Sequence, residues 1–564
     1  MPTSQGALWV RCRSILLPAL VVVAVLDVYA LWFLGVEQTL YHADQVTYWS
    51  YSQHLAQVLV VDPVAAIQAV VHSVASSDVN LLPALPIACV MAVFGDSRLV
   101  YLLSVINIYG AAMVVMLVVA LRKFGLENAS WVAPLVFLLA AGIWRPIFIG
   151  YLGIGGVALA LGVLALSIPF LSSRVTTRSM VLAGVLLALL VLFRRWWGIW
   201  AVAFCIVVLL AALWELVSTR TQSLKKIREV VAGPAVLGLT AVVTLIVLAA
   251  PIVVQRLTTD YADRFAAYSL GGASQRVAAV VGHFGFLGLL LIVGCTGYLL
   301  SKPTLRRSAV ALVLLLVLTY TVMVSIQDHS PQHWYLYDPS ILLLVGLALG
   351  RLGEELPRRR RAAIWALLVV VGLVTTASVF VPGFAFGGRT GLLPSDRLHP
   401  RVRGDLAEID RLLTFLDHRY ENGTARIYIL ASSELLSDQV LAFSNLSLGT
   451  EHPSVRGILG SAHVDRRDGF PRGLLVADAA IVTDPIQVHL RSDEQRVIVE
   501  PARSFLEGTD IAHAFQELPE SFLLDNDVKV RIFERVRLNT PEEIEGLSSR
   551  LREAYPDRPE IFAP

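Results

Sequence analysis

Asp44 stands in the run Tyr41-His42-Ala43-Asp44-Gln45-Val46-Thr47-Tyr48-Trp49, eight residues beyond an apolar stretch that ends at Val36. A carboxylate in such a place can take a proton from a hydroxyl nucleophile as it attacks, and it can equally be a solvated loop residue. Arginines supply the complementary chemistry. Arg194 and Arg195 lie in Phe193-Arg194-Arg195-Trp196-Trp197, Arg145 lies in Trp144-Arg145-Pro146, and Arg98 and Arg256 also flank apolar segments. A guanidinium is costly in hydrocarbon and its planar fork matches phosphate. The alternative is interfacial snorkelling beside an aromatic belt, which suits Trp196 and Trp197. A polar-aromatic loop, Gln327 to Pro339, offers His333 and Tyr335 as substrate lining. Asp78, before Asn80-Leu81-Leu82-Pro83, reads as a helix cap or as a second acidic candidate. His42, His54 and His72 lack the spacing of metal ligands.

These groups must be positioned by a membrane protein. The chain has 564 residues, 56% apolar and 16% charged, against about 45–50% and about 25% in soluble domains. A net charge of +2 gives no footprint for nucleic acid. The four cysteines are far apart and form neither a metal pattern nor a disulfide framework.

Apolar runs recur up to about residue 383 and then cease, which predicts an α-helical multi-span domain over 1–383 and a small soluble α/β domain over 384–564. Eleven spans are expected, at 14–36, 98–121, 129–144, 153–171, 179–193, 197–215, 231–254, 284–300, 309–325, 339–351 and 363–383. The first is too long for a cleaved signal and lacks a small-residue cleavage site. Residues 37–97 read as one outer loop with surface helices at 48–60 and 64–75, because the stretch 81–94 is short and holds Pro83 and Pro86. Loop 255–283 reads as an amphipathic surface helix broken at Gly271-Gly272. One set of loops carries 18 Lys and Arg and the opposite set 7. The positive-inside rule then places the N-terminus in the cytoplasm and 384–564 outside.

Several segments together resemble the C-type (GT-C) integral-membrane glycosyltransferases: the aminoarabinose transferases, protein O-mannosyltransferases and lipopolysaccharide galacturonosyltransferases. Asp44-Gln45-Val46-Thr47-Tyr48 is similar to their D-E-x-x-Y element after the first span, with Gln45 in place of the usual Glu. Asn80-Leu81-Leu82-Pro83-Ala84-Leu85-Pro86 is similar to their N-P-P-L segment, and Phe94-Gly95-Asp96-Ser97-Arg98-Leu99 to the entry of their second span. Leu192-Phe193-Arg194-Arg195 falls where many carry Thr-Lys or Thr-Arg, and His333-Trp334-Tyr335-Leu336-Tyr337-Asp338-Pro339 resembles their HY-containing loop. The resemblance spans about 300 residues, in order.

It implies sugar transfer from a polyprenyl-phosphate donor to a glycan, lipid or protein hydroxyl, on the outer face of a bacterial inner membrane. Asp44 would be the base, giving inversion. Arg194, Arg195, Arg98, Arg145 and Arg256 would bind the donor phosphate; Gln45, Tyr48, Asp78, His333 and Tyr335 would contact substrate. No cofactor is required, and metal need not take part because the leaving group is a monophosphate. The rival classes are a lipid-linked sugar flippase or transporter and a non-catalytic membrane scaffold.

In the outer domain, helices are expected at 406–420, 434–443, 488–500 and 542–555, and strands at 426–430, 474–483 and 528–533. No catalytic constellation stands out there. Covering the membrane cavity or holding an acceptor are the roles open to it.

Overall fold

The computed structural model describes residues 4–564 except 168–175, 219–222, 270, 385–390, 396–397 and 421–422. The loop cations Arg174 and Arg220, used in the orientation argument, lie outside the described residues. The chain divides into two compact units: residues 1–35, 48–259 and 270–399 form the first, and 36–47, 260–269 and 400–564 the second.

The first unit is helical. Among the described residues seven helices are long and apolar enough to cross a membrane: Arg13–Val36, Arg98–Lys123, Trp197–Ser218, Val230–Thr258, Ala273–Ser301, Pro303–Ile326 and Arg358–Phe380. The pair Ala129–Leu139 and Ala141–Ile149 makes an eighth if taken as one span, but it is bent by 80°. The expected straight span at 129–144 is therefore corrected: the helix stops at Ala140 and restarts into the Arg145-Pro146 turn. Ile154–Ser167 and Thr177–Phe193 are shorter apolar helices. Nearly every residue of Ile154–Ser167 is buried, as befits a helix that is apolar all round and sits at the centre of a bundle.

Breaks in these helices have local causes. Helix Leu224–Thr258 kinks at Ala249, next to Pro251, which cannot donate an amide. Helix Ala273–Ser301 breaks at Gly285, whose φ of 67° suits glycine. The amides of Phe286 and Leu287, freed by the break, donate to the carbonyls of Gly391 and Leu392 at 2.9 and 3.1 Å. The expected surface helices are present as Asp44–Val61 and Pro63–Ser76. Asp62 separates them, its carboxylate accepting from the amides of Val64 and Ala65. The 81–94 stretch is a short helix, Leu82–Phe94.

The second unit holds a four-stranded sheet: β1 (Ile427–Leu430), β2 (Ala479–Asp484), β3 (Phe515–Leu524) and β4 (Val528–Arg535), in the order β1-β2-β4-β3. β1 and β2 are parallel; the other pairs are antiparallel. Strand alternation feeds two cores. Ile427, Ile429, Ile481, Val530 and Ile532 pack on one face with Leu412 and Leu416 of helix Leu406–Arg419. Tyr428, Leu430, Val482 and Phe533 pack on the other with Phe505 and Leu551. Helix 434–443 shortens to Asp438–Ala442, helix 488–500 moves to Arg496–Glu507, and β3 was not expected.

Two segments from the N-terminal part join this unit. Gln38 exchanges backbone hydrogen bonds with Arg401 and Arg403 at 2.7 and 2.8 Å, and Leu40 enters the core. In 260–269 the expected long surface helix is only Tyr261–Arg264, capped by Asp260. Arg256 instead ends one long helix and Arg276 begins the next.

Candidate functional site

In the first unit the candidate arginines divide by what holds them. Arg194 follows the last turn of Thr177–Phe193 in extended backbone and is only 9% exposed. Its guanidinium carbon lies 5.3 Å from the Tyr48 ring and 5.9 Å from the Tyr151 ring, within cation–π range. His333, 2% exposed, packs edge-on against Trp196 at 4.6 Å. Burial first, and then the Arg194 charge, push its imidazole well below the ordinary histidine value, so it faces this region uncharged. Its Nδ1 accepts from the Ser330 amide at 3.1 Å. That leaves Nε2 to carry the proton.

Tyr335 is 1% exposed and lies against Gly153, where an added Cβ would approach its ring to 2.6 Å. The phenol's oxygen is buried with no hydrogen-bond partner among the described residues. Asp338, two residues beyond Leu336 at the head of helix Asp338–Glu355, is also buried, with Oδ2 unpartnered. Sequence reasoning passed over Asp338 because it sits at the start of an apolar run. Glycines of the next helix allow the close packing here: an added Cβ on Gly155 would come to 2.5 Å from Phe193, and one on Gly156 would run into the Trp197 ring.

Asp78 is corrected from helix cap to counter-ion. It pairs with Arg195 and lies 3.1 Å from Arg256 Nε. Burial would raise its carboxyl, but Arg195 and then Arg256 outweigh that and hold it below the ordinary carboxylate value. A carboxylate so held is a weak base, which removes the reason for treating Asp78 as the second candidate. Arg256 also donates to the Val191 carbonyl, and Asn80 to the Leu192 carbonyl at 2.8 Å. The 78–80 segment is thus tied to the helix end that presents Arg194.

Arg98 donates to the Ile149 carbonyl at 2.9 Å and lies over Trp49 and Tyr101. It straps the 145–150 turn in place. Arg145 opens the short helix Arg145–Ile149. The structure therefore brings Arg194, Tyr48, His333 and Tyr335 into one neighbourhood, and Asp78, Arg195 and Arg256 into another.

Asp44 and Gln45 belong to the second unit's segment 36–47. Asp44 is half-buried and opens helix Asp44–Val61 after Ala43, whose φ is 49°. Among the described residues no group of three or more His, Cys, Asp or Glu is placed to hold a metal.

No protein-family model and no curated protein matches the chain by sequence. Solved structures do match it by fold. The crystal structure of ArnT from Cupriavidus metallidurans bound to undecaprenyl phosphate aligns over 93% of this chain and 99% of its own, with a TM-score of 0.50 and 14% identity. The apo structure aligns over 95% and 100%, with the same TM-score and 13% identity. The fold of this chain is that of the ArnT structures: a multi-span helical part followed by a small domain built on a sheet.

Proposed function

We propose that this protein is a GT-C membrane glycosyltransferase that takes its sugar from a polyprenyl-phosphate donor. The observation that carries the reading is Arg194, a nine-tenths-buried guanidinium among Tyr48, Tyr151 and uncharged His333, in a fold whose solved neighbour binds undecaprenyl phosphate. A guanidinium's planar fork matches a phosphate, and the ligand of the solved neighbour is a lipid phosphate. The expected topology puts the N-terminus in the cytoplasm of a bacterial inner membrane and the C-terminal domain outside.

In the proposed reaction the acceptor oxygen bonds to the anomeric carbon as the carbon–oxygen bond to phosphate breaks. The electron pair leaves with the lipid phosphate, whose charge the arginines stabilise. Asp44 takes the acceptor's hydroxyl proton, and attack opposite the leaving group inverts the anomeric centre.

Purified protein in nanodiscs tests this. Undecaprenyl phosphate should bind, and Arg194→Ala should weaken that binding by about tenfold or more. A nucleotide sugar sufficing as sole donor would overturn the reading. So would movement of a lipid-linked sugar with no new glycosidic bond.

A further inference from the structure

β1 and β2 run parallel and end side by side, with Leu430 opposite Val482. The carboxyl edge of such a pair is where α/β sheets open to ligands, because the chains leaving it diverge. Here that edge carries a polar cluster lying wholly within the second unit.

Its hydrogen bonds fix the protons. Gln495 is fully buried, and its Oε1 accepts from the amides of His489 and Leu490 at 3.0 and 2.8 Å. Its Nε2 therefore donates, to the His463 carbonyl at 2.6 Å and to Ser432 Oγ at 3.0 Å. His489 Nδ1 lies 3.0 Å from Ser432 Oγ and 3.2 Å from Gln495 Nε2, an amide nitrogen that can only donate, so Nδ1 is the acceptor. With Nδ1 an acceptor, the His489 proton sits on Nε2. Ser432 and Gln495 are buried while His489 is exposed, so the buried pair sets the tautomer of a surface donor.

Two further rings flank it. Tyr268 lies 6.3 Å from His489, and its oxygen accepts from Arg467 at 3.1 Å, leaving its hydroxyl hydrogen to donate. His463 lies 6.2 Å from His489, with Nε2 2.9 Å from Asp438. The neighbouring arginines are already matched. Arg467 is held in a fork by Asp468 at 2.7 and 2.8 Å. Arg466 and Arg558 both reach Asp263, at 3.1 and 2.9 Å, and Arg466 also reaches Asp557 at 3.5 Å. The cluster thus presents ring faces and oriented neutral donors with no surplus positive charge. Those features suit the C–H face and hydroxyls of a sugar and give no purchase to a phosphate or carboxylate.

We propose that this edge is an acceptor subsite for an uncharged sugar, with His489 and Tyr268 contacting it and Ser432 and Gln495 positioning His489. The proposal rests on the glycosyltransferase reading. Asp44 belongs to the same unit and acts electrostatically on Tyr268, so one unit would carry both the acceptor and its proposed base.

The test uses the full chain in nanodiscs and a panel of diazirine-bearing octyl glycosides of glucose, galactose, mannose and arabinose, with undecaprenyl phosphate binding measured in parallel. Crosslinks should fall on residues 260–269 and 485–495. His489→Ala should cut them about tenfold, and His489→Gln, which keeps a donor, should restore most of the signal. Ser432→Ala should cut them too while undecaprenyl phosphate affinity stays unchanged. Crosslinks elsewhere or none, with undecaprenyl phosphate still bound, would overturn the subsite and leave the enzymatic reading standing. Loss of undecaprenyl phosphate binding by the wild-type protein would overturn both. A 6-phosphate glycoside labelling the edge better than its neutral parent would overturn the assignment to an uncharged sugar.

Discussion

Arg194→Ala and Arg195→Ala should have different consequences, because the two guanidinia have different partners. Arg194 lies under Tyr48 and Tyr151, whereas Arg195 is bound to Asp78. Removing Arg194 should weaken undecaprenyl phosphate binding with little loss of folded protein. Removing Arg195 should lower thermal stability, since Asp78 loses one of its two cations. Asp78→Asn, which leaves Arg195 and Arg256 without their anion, should cost about 2 kcal/mol, read as a lower melting temperature. The Asp78 carboxyl is held below the ordinary value. Its contribution is therefore full above about pH 4 and is lost as pH falls through the folded-state value. Asp44→Asn keeps size and removes basicity. It should abolish transfer, a loss of about 10²-fold or more, while undecaprenyl phosphate still binds. Near wild-type turnover by the folded Asn variant would remove Asp44 from the mechanism.

At the scale of elements, the helix Ile154–Ser167 is placed by what its glycines admit. Gly156→Val would put a branched side chain where the Trp197 ring lies. Overpacking of this kind costs about 1–3 kcal/mol, so the yield of folded protein in detergent should fall, while Gly198→Ala, where an added Cβ meets nothing within 4 Å, should be neutral. Segment 36–47 supplies a pH test of the second unit. His42 has a buried Nδ1 with no hydrogen-bond partner among the described residues. Burial, reinforced by Arg401, pushes the imidazole down to about 4. The unfolded chain then takes up a proton first, so stability is greatest above about pH 6.5 and declines as pH falls towards 4. Hydrogen exchange around Leu40 should quicken over that window, and His42→Gln should flatten the dependence.

For the whole molecule, topology is the open prediction. Reporter fusions at Gly95 and Pro564 should both report the outer side, as the loop charges require. A cytoplasmic signal at Pro564 would reverse the orientation, and one at Gly95 alone would make Leu82–Phe94 a true crossing. The same fusions bear on the count of spans. Among the described residues seven helices, or eight with the bent pair, meet the length and apolarity needed, and the shorter Ile154–Ser167 is buried among its neighbours.

The division into a long apolar part and a polar end was legible in the sequence, because hydropathy is a local property that a window of about 20 residues averages correctly. So were the two surface helices at 48–60 and 64–75 and three of the four strands, each set by residues close together in the chain. The order of motifs pointed to the GT-C fold through Asp44, Arg194 and His333, although no single motif did. The partners of charged groups were not legible. Asp78 finds Arg195 and Arg256 more than 100 residues away, and nothing in the local run distinguishes such a counter-ion from a cap. Strand β3 was hidden because Phe515–Leu524 carries Glu517, Pro519 and Glu520 on a largely exposed edge, so it lacks the apolar signal of a buried strand. The edge carrying Ser432, His463, His489 and Gln495 was invisible for the same reason as the Asp78 clamp. Its members come from separate loops, and only the pairing of two parallel strands brings them to one place.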